Sequence, residues 1–388
     1  MSAVCSRLLS VLEAVLPRGG SRALHEPEFA GNEWVYTKEC IDSGWVSSVG
    51  KFVDEFESRL VQFTGSRHAV AVVNGTAALQ VAVRLAGVQS AEEVIVPALT
   101  FVATANAVVH CGAIPHFVDS EESSLGIDAE ALRSHLAHIA ERTAGCWRNR
   151  ITGRRLAAIV PMHALGHPAD MPRILDVASA YALPVIEDAA ESLGSTLGGQ
   201  HTGTFGLAGT LSFNGNKIVT TGGGGAILTN DAELARHAKH LTTTAKRPHA
   251  WEFFHDEVGF NYRLPNLNAA LGCAQLERLP DMLARKRRLA ERYRSGFAET
   301  TGLAFIDEPR GTQSNFWLNA VRAELANMVE RDAILGALIA AGYQCRPLWT
   351  LMHRLPMYQH CPRAPLPIAE QLELSVIKLP SSATLIKH

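Results

Sequence analysis

Short apolar, β-branched runs alternate with longer stretches of helical period along most of this chain. His68–Val73, Val94–Val96, Ile114–Val118, Leu156–Val160, Val185–Asp188, Thr210–Phe213 and Ala226–Thr229 have strand length and strand composition. Thr76–Ala86, Val102–His110, a stretch after Ala169 and another opening at Asp231 carry helical spacing between them. This alternation predicts the α/β class, a mostly parallel sheet with helices on both faces, and ligands at the carboxyl ends of its strands. The rhythm changes near residue 250. Leu267 to about Phe297 is one helical stretch interrupted at Pro280, followed by the short run Ala320–Glu324, a helix over Met328–Ala341, and a Pro-rich tail in which 362–388 has no clear period. The change predicts a large domain over 1–250, with an amphipathic helical segment at its N-terminus, and a smaller C-terminal α+β domain over 251–388.

Composition narrows the function. The chain has 388 residues, 36 Lys plus Arg and 38 Asp plus Glu, for a formal net charge of −2. A near-neutral chain makes no electrostatic case for a nucleic-acid groove or an anionic membrane surface. Hydrophobic residues are 47% and charged residues 19%, which suits a large core. The apolar region Val94–Val118 is broken by Pro97, Thr100, Thr104, Asn106 and His110, so no membrane span is expected. The seven cysteines include no C-x-x-C pair, which favours a reducing, cytoplasmic location. His163 and His167 share a loop with Gly166 and Pro168 instead of a helix, and no metal is expected there.

Candidate chemistry sits at predicted strand ends. Asn74-Gly75-Thr76 joins the strand 68–73 to a helix, where free N–H groups and the helix dipole suit an anion, or where Asn74 or Thr76 is an ordinary cap. Asp188 ends a buried strand, and a carboxylate there needs a cationic partner. Lys217 follows the strand 210–213 on a turn of small and polar residues, unlike the lysines of charged, helical surroundings. Gly222–Gly225 is either a flexible turn or a backbone that passes close to a ligand. Gly44–Phe52 fails as a phosphate loop, because its glycine spacing is wrong and Phe52 replaces the hydroxyl residue that would hold magnesium. An imine-forming lysine, an acid for a pyridine nitrogen, phosphate donors at a helix N-terminus and a stacking aromatic such as Phe101 are the parts that pyridoxal phosphate requires.

In these stretches the sequence resembles the pyridoxal-phosphate-dependent nucleotide-sugar aminotransferases of the DegT/DnrJ/StrS family, fold-type I enzymes of the aspartate aminotransferase superfamily. The matching segments include GWVSSVGKFVDEFE, AVVNGTAALQVAV, VIVPALTFVATANAV, PVIEDAAESLGS, SFNGNKIVTTGGGG, GFNYRLPNLNAALGCAQLERL and RPLWTLMHRLPMY, from about residue 24 to residue 382. The resemblance implies a seven-stranded sheet in the large domain, and Lys217 as the catalytic residue that forms the Schiff base and moves the proton. It implies that Asp188 pairs with the pyridine nitrogen, that Gly75, Thr76 and Ser212 contact the phosphate, that Phe101 stacks on the ring, and that Glu191 lies near the ring hydroxyl. Asn261 is expected to reach the phosphate of a neighbouring subunit, which makes a homodimer with composite sites. Trp45, Ser47, Asn214, Arg346, Trp349 and His353 are candidate sugar or nucleotide contacts. LHEPEFAGNEW and RPLWTLMHRLPMY resemble the bacillosamine and legionaminic-acid branch, whose members use L-glutamate to aminate a UDP-2-acetamido-2,6-dideoxy-hexos-4-ulose. The alternatives are a GDP-linked, perosamine-type sugar, a TDP-sugar, or a non-enzymatic regulator that binds the cofactor.

Overall fold

In the computed structural model, which describes residues 2–17 and 22–386, the predicted apolar runs become one central sheet. Its strands are β1 His68–Val72, β2 Glu93–Pro97, β3 Ile114–Val118, β4 Leu156–Ile159, β5 Ile186–Asp188, β6 Ala208–Ser212 and β7 Gly225–Thr229. The order is β1-β7-β6-β5-β4-β2-β3 among the described residues, with β5 and β4 meeting through the parallel bridges Ile159–Val185 and Met162–Asp188. Only β7 runs against its neighbours; β6, β5, β4, β2 and β3 are parallel. These strands are buried almost throughout, which is why they are continuous apolar runs and not alternating ones. Helices α1 Ala3–Val15, α2 Glu33–Ser43, α3 Lys51–Thr64, α4 Gly75–Leu85, α5 Val102–His110, α6 Ala129–Ile139, α7 Met171–Ala180 and α8 Ala232–Thr242 precede or connect them. Asp231 caps α8 by accepting from the Glu233 and Leu234 N–H groups, as its sequence position suggests.

The stretch from Asn266 to Phe297 is one helix, α9, and it is not interrupted at Pro280 as the sequence suggests. Proline removes one hydrogen bond and costs about 3 kcal/mol inside a helix. Packing on both sides of it outweighs that cost. Cys273, Leu276, Leu279 and Met282 share a core with Phe52 and Phe56 of α3, while Leu289, Tyr293 and Phe297 share another with Cys5, Leu8 and Leu12 of α1.

A second, antiparallel sheet is formed by β8 Leu303–Phe305, β9 Asn319–Ala323, β10 Arg346–Pro347 and β11 Val376–Leu379, in the order β8-β9-β11-β10. Helices α10 Met328–Ala340 and α11 Pro367–Ser375 complete this region. The first helix belongs to the same core, since Leu8 and Leu12 pack with Val321, Leu338 and Ile377. The tail, which has no readable period, supplies α11 and β11. No helix among the described residues is long and apolar enough to cross a membrane.

Candidate active site

Four strands of the central sheet end at one cavity of about 320 Å³. The β1–α4 junction brings Asn74, Gly75 and Thr76, the loop after β2 brings Phe101, β5 brings Asp188 and Glu191, and β6 with its following turn brings Ser212, Asn214 and Lys217. Trp349 reaches the cavity from the segment that follows β10. The cavity therefore gathers nine of the fourteen residues singled out in the sequence.

The α4 N-terminus is built to hold an anion. The Asn74 side chain accepts from the Ala77 N–H at 2.8 Å, and the Asn74 carbonyl accepts from Ala78 at 3.1 Å. That leaves the Gly75 and Thr76 N–H groups of the first turn, with the positive end of the helix dipole behind them. Gly75 lies so close to Ser212 that a Cβ would stand 2.9 Å from its Cβ and 3.3 Å from its Oγ, which brings the serine hydroxyl to the same spot. The Gly222–Gly225 run serves this junction from behind. A Cβ on Gly225 would lie 2.5 Å from the Asn74 carbonyl carbon and 2.8 Å from the Gly75 nitrogen. The close backbone approach is thus between β7 and the anion loop.

Asp188 is buried, and burial pushes its carboxyl up from the usual range. Thr104 Oγ1 donates to its Oδ2 at 2.7 Å and the Ala190 N–H donates to Oδ1 at 3.2 Å. No Lys or Arg among the described residues forms an ion pair with it, so a cationic group in the cavity would relieve it. Lys217 points its Nζ at the Trp317 ring, 4.0 Å from the centroid, and lies 3.4 Å from Glu191 Oε1. Burial raises the Glu191 carboxyl too, opposed chiefly by the charge of Lys217, while its Oε2 accepts from the Leu165 N–H at 2.9 Å.

The other candidates lie elsewhere. Trp45 is 58% exposed and borders a separate cavity with Lys51, Arg263 and Asn266. The Ser47 carbonyl accepts from the Asn266 N–H at 2.6 Å, away from the Lys217 cavity. Arg346 is exposed and bonds the Cys345 carbonyl and Gln344; His353 lies 3.9 Å from Glu370. Asn261 is exposed and pairs with Thr243, also outside the cavity. His163 bonds Glu187 at 3.0 Å, and the His167 ring packs edge-on against Phe316.

Sequence reasoning missed Trp317, Asn216, Met162 and Lys378, which line the cavity, and Thr104, which holds Asp188. Trp317 is fixed by its Nε1–H donating to the Asn216 carbonyl at 2.8 Å, and by Asn315, which accepts from the Trp317 N–H and donates to the Glu191 and Leu193 carbonyls. Thr104 could have been suspected, since a hydroxyl in an otherwise apolar helix needs a buried partner.

An amine able to form an imine, an acid that is costly without a cationic ring nitrogen, and an anion cradle at one helix N-terminus fit pyridoxal phosphate. On this α/β frame they define a fold-type I pyridoxal-phosphate-dependent aminotransferase. Residues 28–388 match the DegT/DnrJ/EryC1/StrS aminotransferase family. The chain is 39% identical to the GDP-perosamine synthase of Caulobacter vibrioides over 362 residues, covering 92% of each protein. It is 36% identical to the GDP-perosamine synthase of Vibrio cholerae, covering 92% of this chain and 93% of that one. The solved structure of Helicobacter pylori PseC, an aminotransferase of pseudoaminic acid biosynthesis, superposes with a TM-score of 0.86 at 26% identity and 95% coverage of each chain. The chain belongs to the DegT/DnrJ/EryC1/StrS aminotransferase family, and its cofactor is pyridoxal phosphate.

Proposed function

We propose that this enzyme moves an amino group from L-glutamate to the 4-keto carbon of a GDP-linked 4-keto-6-deoxyhexose, as a cytoplasmic homodimer serving polysaccharide biosynthesis. The observation that carries the sugar is the name shared by the two curated relatives described above, GDP-perosamine synthase, at 39% and 36% identity over most of the chain. They favour a GDP-linked substrate over the UDP-2-acetamido sugar of the bacillosamine and legionaminic-acid branch that the motifs suggest, and over a TDP-sugar.

The residues divide the work by position. Gly75, Thr76 and Ser212 would hold the cofactor's phosphate, Phe101 would cover its ring, and Asp188 would keep the ring nitrogen protonated. When bound, the cofactor would supply an aldehyde carbon to carry the amino group between the two substrates and a ring to withdraw electrons from it. Lys217 would hold it through its amine and, once freed, that amine would take and return the proton at the substrate carbon. Glu191, beside Lys217, would position that amine, and Asn214 and Trp349 border the space left for substrate. One lysine serving both halves predicts ping-pong kinetics. Free cysteines throughout the chain agree with a reducing compartment.

The experiment is a mass-spectrometric assay of the holoenzyme with L-glutamate and GDP-, UDP- or TDP-linked 4-keto-6-deoxy sugars. The GDP-amino sugar is the expected product, and Lys217→Ala should give none while remaining folded. Amination of the UDP-sugar alone would overturn the choice of nucleotide, and full turnover by Lys217→Ala would overturn the assignment of the lysine.

A further inference from the structure

Lys378 is the cavity residue that the cofactor roles leave over. It lies in β11, opposite Arg346 of β10, and is 7% exposed. Its ammonium sits 4.8 Å from the centroid of the Trp349 ring, and no hydrogen bond or ion pair to it is found among the described residues. Burial lowers it to about 8, with Glu191 pulling the other way and Lys217 and Arg346 adding to the fall. A cation buried this far with no anion against it is costly, and a ligand that brings a negative charge removes the cost. Among the described residues that line the cavity, only Lys217 and Lys378 are cations. Lys217 is committed to the imine, which leaves Lys378 for the anion.

We propose that Lys378 receives the α-carboxylate of the amino-acid donor. An α-amino acid bears its carboxylate on the very carbon that bears the reacting amine, so an acid group must arrive wherever that amine meets Lys217. The phosphates of a nucleotide sugar are attached across the ring from a 4-keto carbon and reach farther out. The Trp349 face beneath the ammonium keeps it from swinging to solvent and leaves its N–H donors for the carboxylate. Lys378 is thus a donor-specificity residue, and this inference rests on the transaminase reading of the cavity.

The test uses the holoenzyme and 2-methyl-L-glutamate, which lacks the α-proton and binds without turnover. Calorimetry should show the Lys378→Met protein binding it about 10- to 100-fold more weakly, the loss expected for one charge-assisted hydrogen bond. Lys378→Arg should recover part of the affinity. In steady state, the KM for L-glutamate should rise by a similar factor, while the KM for the keto sugar moves far less. Thermal unfolding and the cofactor's absorbance check that the variant is folded and loaded, and Lys378→Gln serves if Lys378→Met is not. An unchanged 2-methyl-L-glutamate constant in a folded variant overturns the proposal, as does a loss confined to the keto sugar. The two readings fail separately: a wild-type enzyme that aminates no keto sugar, yet binds 2-methyl-L-glutamate in a Lys378-dependent way, refutes the reaction and retains the subsite.

Discussion

Glu187 and Asp188 are adjacent acids in β5, and the pleat sends them to opposite faces. Glu187 accepts from the N–H groups of Gly203, Phe205 and Gly206 and bonds His163, which ties the 203–206 loop to the sheet. Asp188 has two donors and faces the cavity. Substitutions should separate the two roles. Asp188→Asn should keep the fold and bind cofactor, yet lower kcat by at least about 10²-fold, because an amide cannot hold a proton on the ring nitrogen. Glu187→Gln should instead lower the melting temperature, since it weakens charge-assisted bonds worth roughly 1.5–3 kcal/mol each. Paired measurements of kcat and thermal unfolding check both, and a fully active Asp188→Asn would make that carboxylate structural. The strand and its acidic end are legible in the sequence. Which acid turns inward is set by sheet register, which the three-residue strand does not announce.

At the scale of elements, the Gly222–Gly225 run shows how a motif acquires meaning from its neighbours. Its sequence allows a loose turn or a tight passage, and the contact of β7 with the α4 N-terminus decides for the passage. Gly225→Ala should push that junction apart at a cost of about 1–3 kcal/mol, typical of overpacking. The expected result is a weaker cofactor dissociation constant by fluorescence titration, together with a lower melting temperature; Gly223→Ala, whose Cβ would meet nothing nearer than 3.9 Å, should change neither. All seven central strands can be read from the chain, because burial on both faces leaves unbroken apolar runs. The cavity is legible as far as it is built from those strand ends. Trp317 and Lys378 escape local reading because the second sheet and the segment leading into β9 carry them to the cavity, and nothing near them in sequence encodes that approach. The exposed apolar residues Trp34, Val35 and Ile41 likewise blur the period of α2.

At the scale of the whole molecule, exposed apolar side chains gather in two stretches of the chain, Trp34, Val35, Ile41, Trp45 and Val49 in one and Trp251, Phe253, Phe254 and Val258 in the other. Exposed groups of this kind suit an association surface; Trp45 and Val49 share a cavity with Lys51, Arg263 and Asn266, and Trp251–Val258 lead into Asn261. A second copy is the partner that the shared-site reading requires. Lys217→Ala chains and Asn261→Asp chains, the latter placing a like charge where a phosphate is expected, should each be inactive. Mixed and allowed to exchange, they should regain activity, because one site of the heterodimer is wholly wild type. No recovery despite proven exchange, or a fully active monomer by sedimentation, would refute the shared site. The sheet order also has a consequence for how the chain is made. Strand β1 ends the sheet order; its ladder is with β7, His68 opposite Thr229, about 160 residues later, and on its other side only the bridge Val72–Arg263 touches it among the described residues. At a synthesis rate of roughly 5–20 residues per second, β1 waits on the order of 10–30 seconds for its ladder partner. Throughout that time an apolar strand with open edges is available to any other chain, so a growing polypeptide of this design gains most from a chaperone before residue 229 emerges.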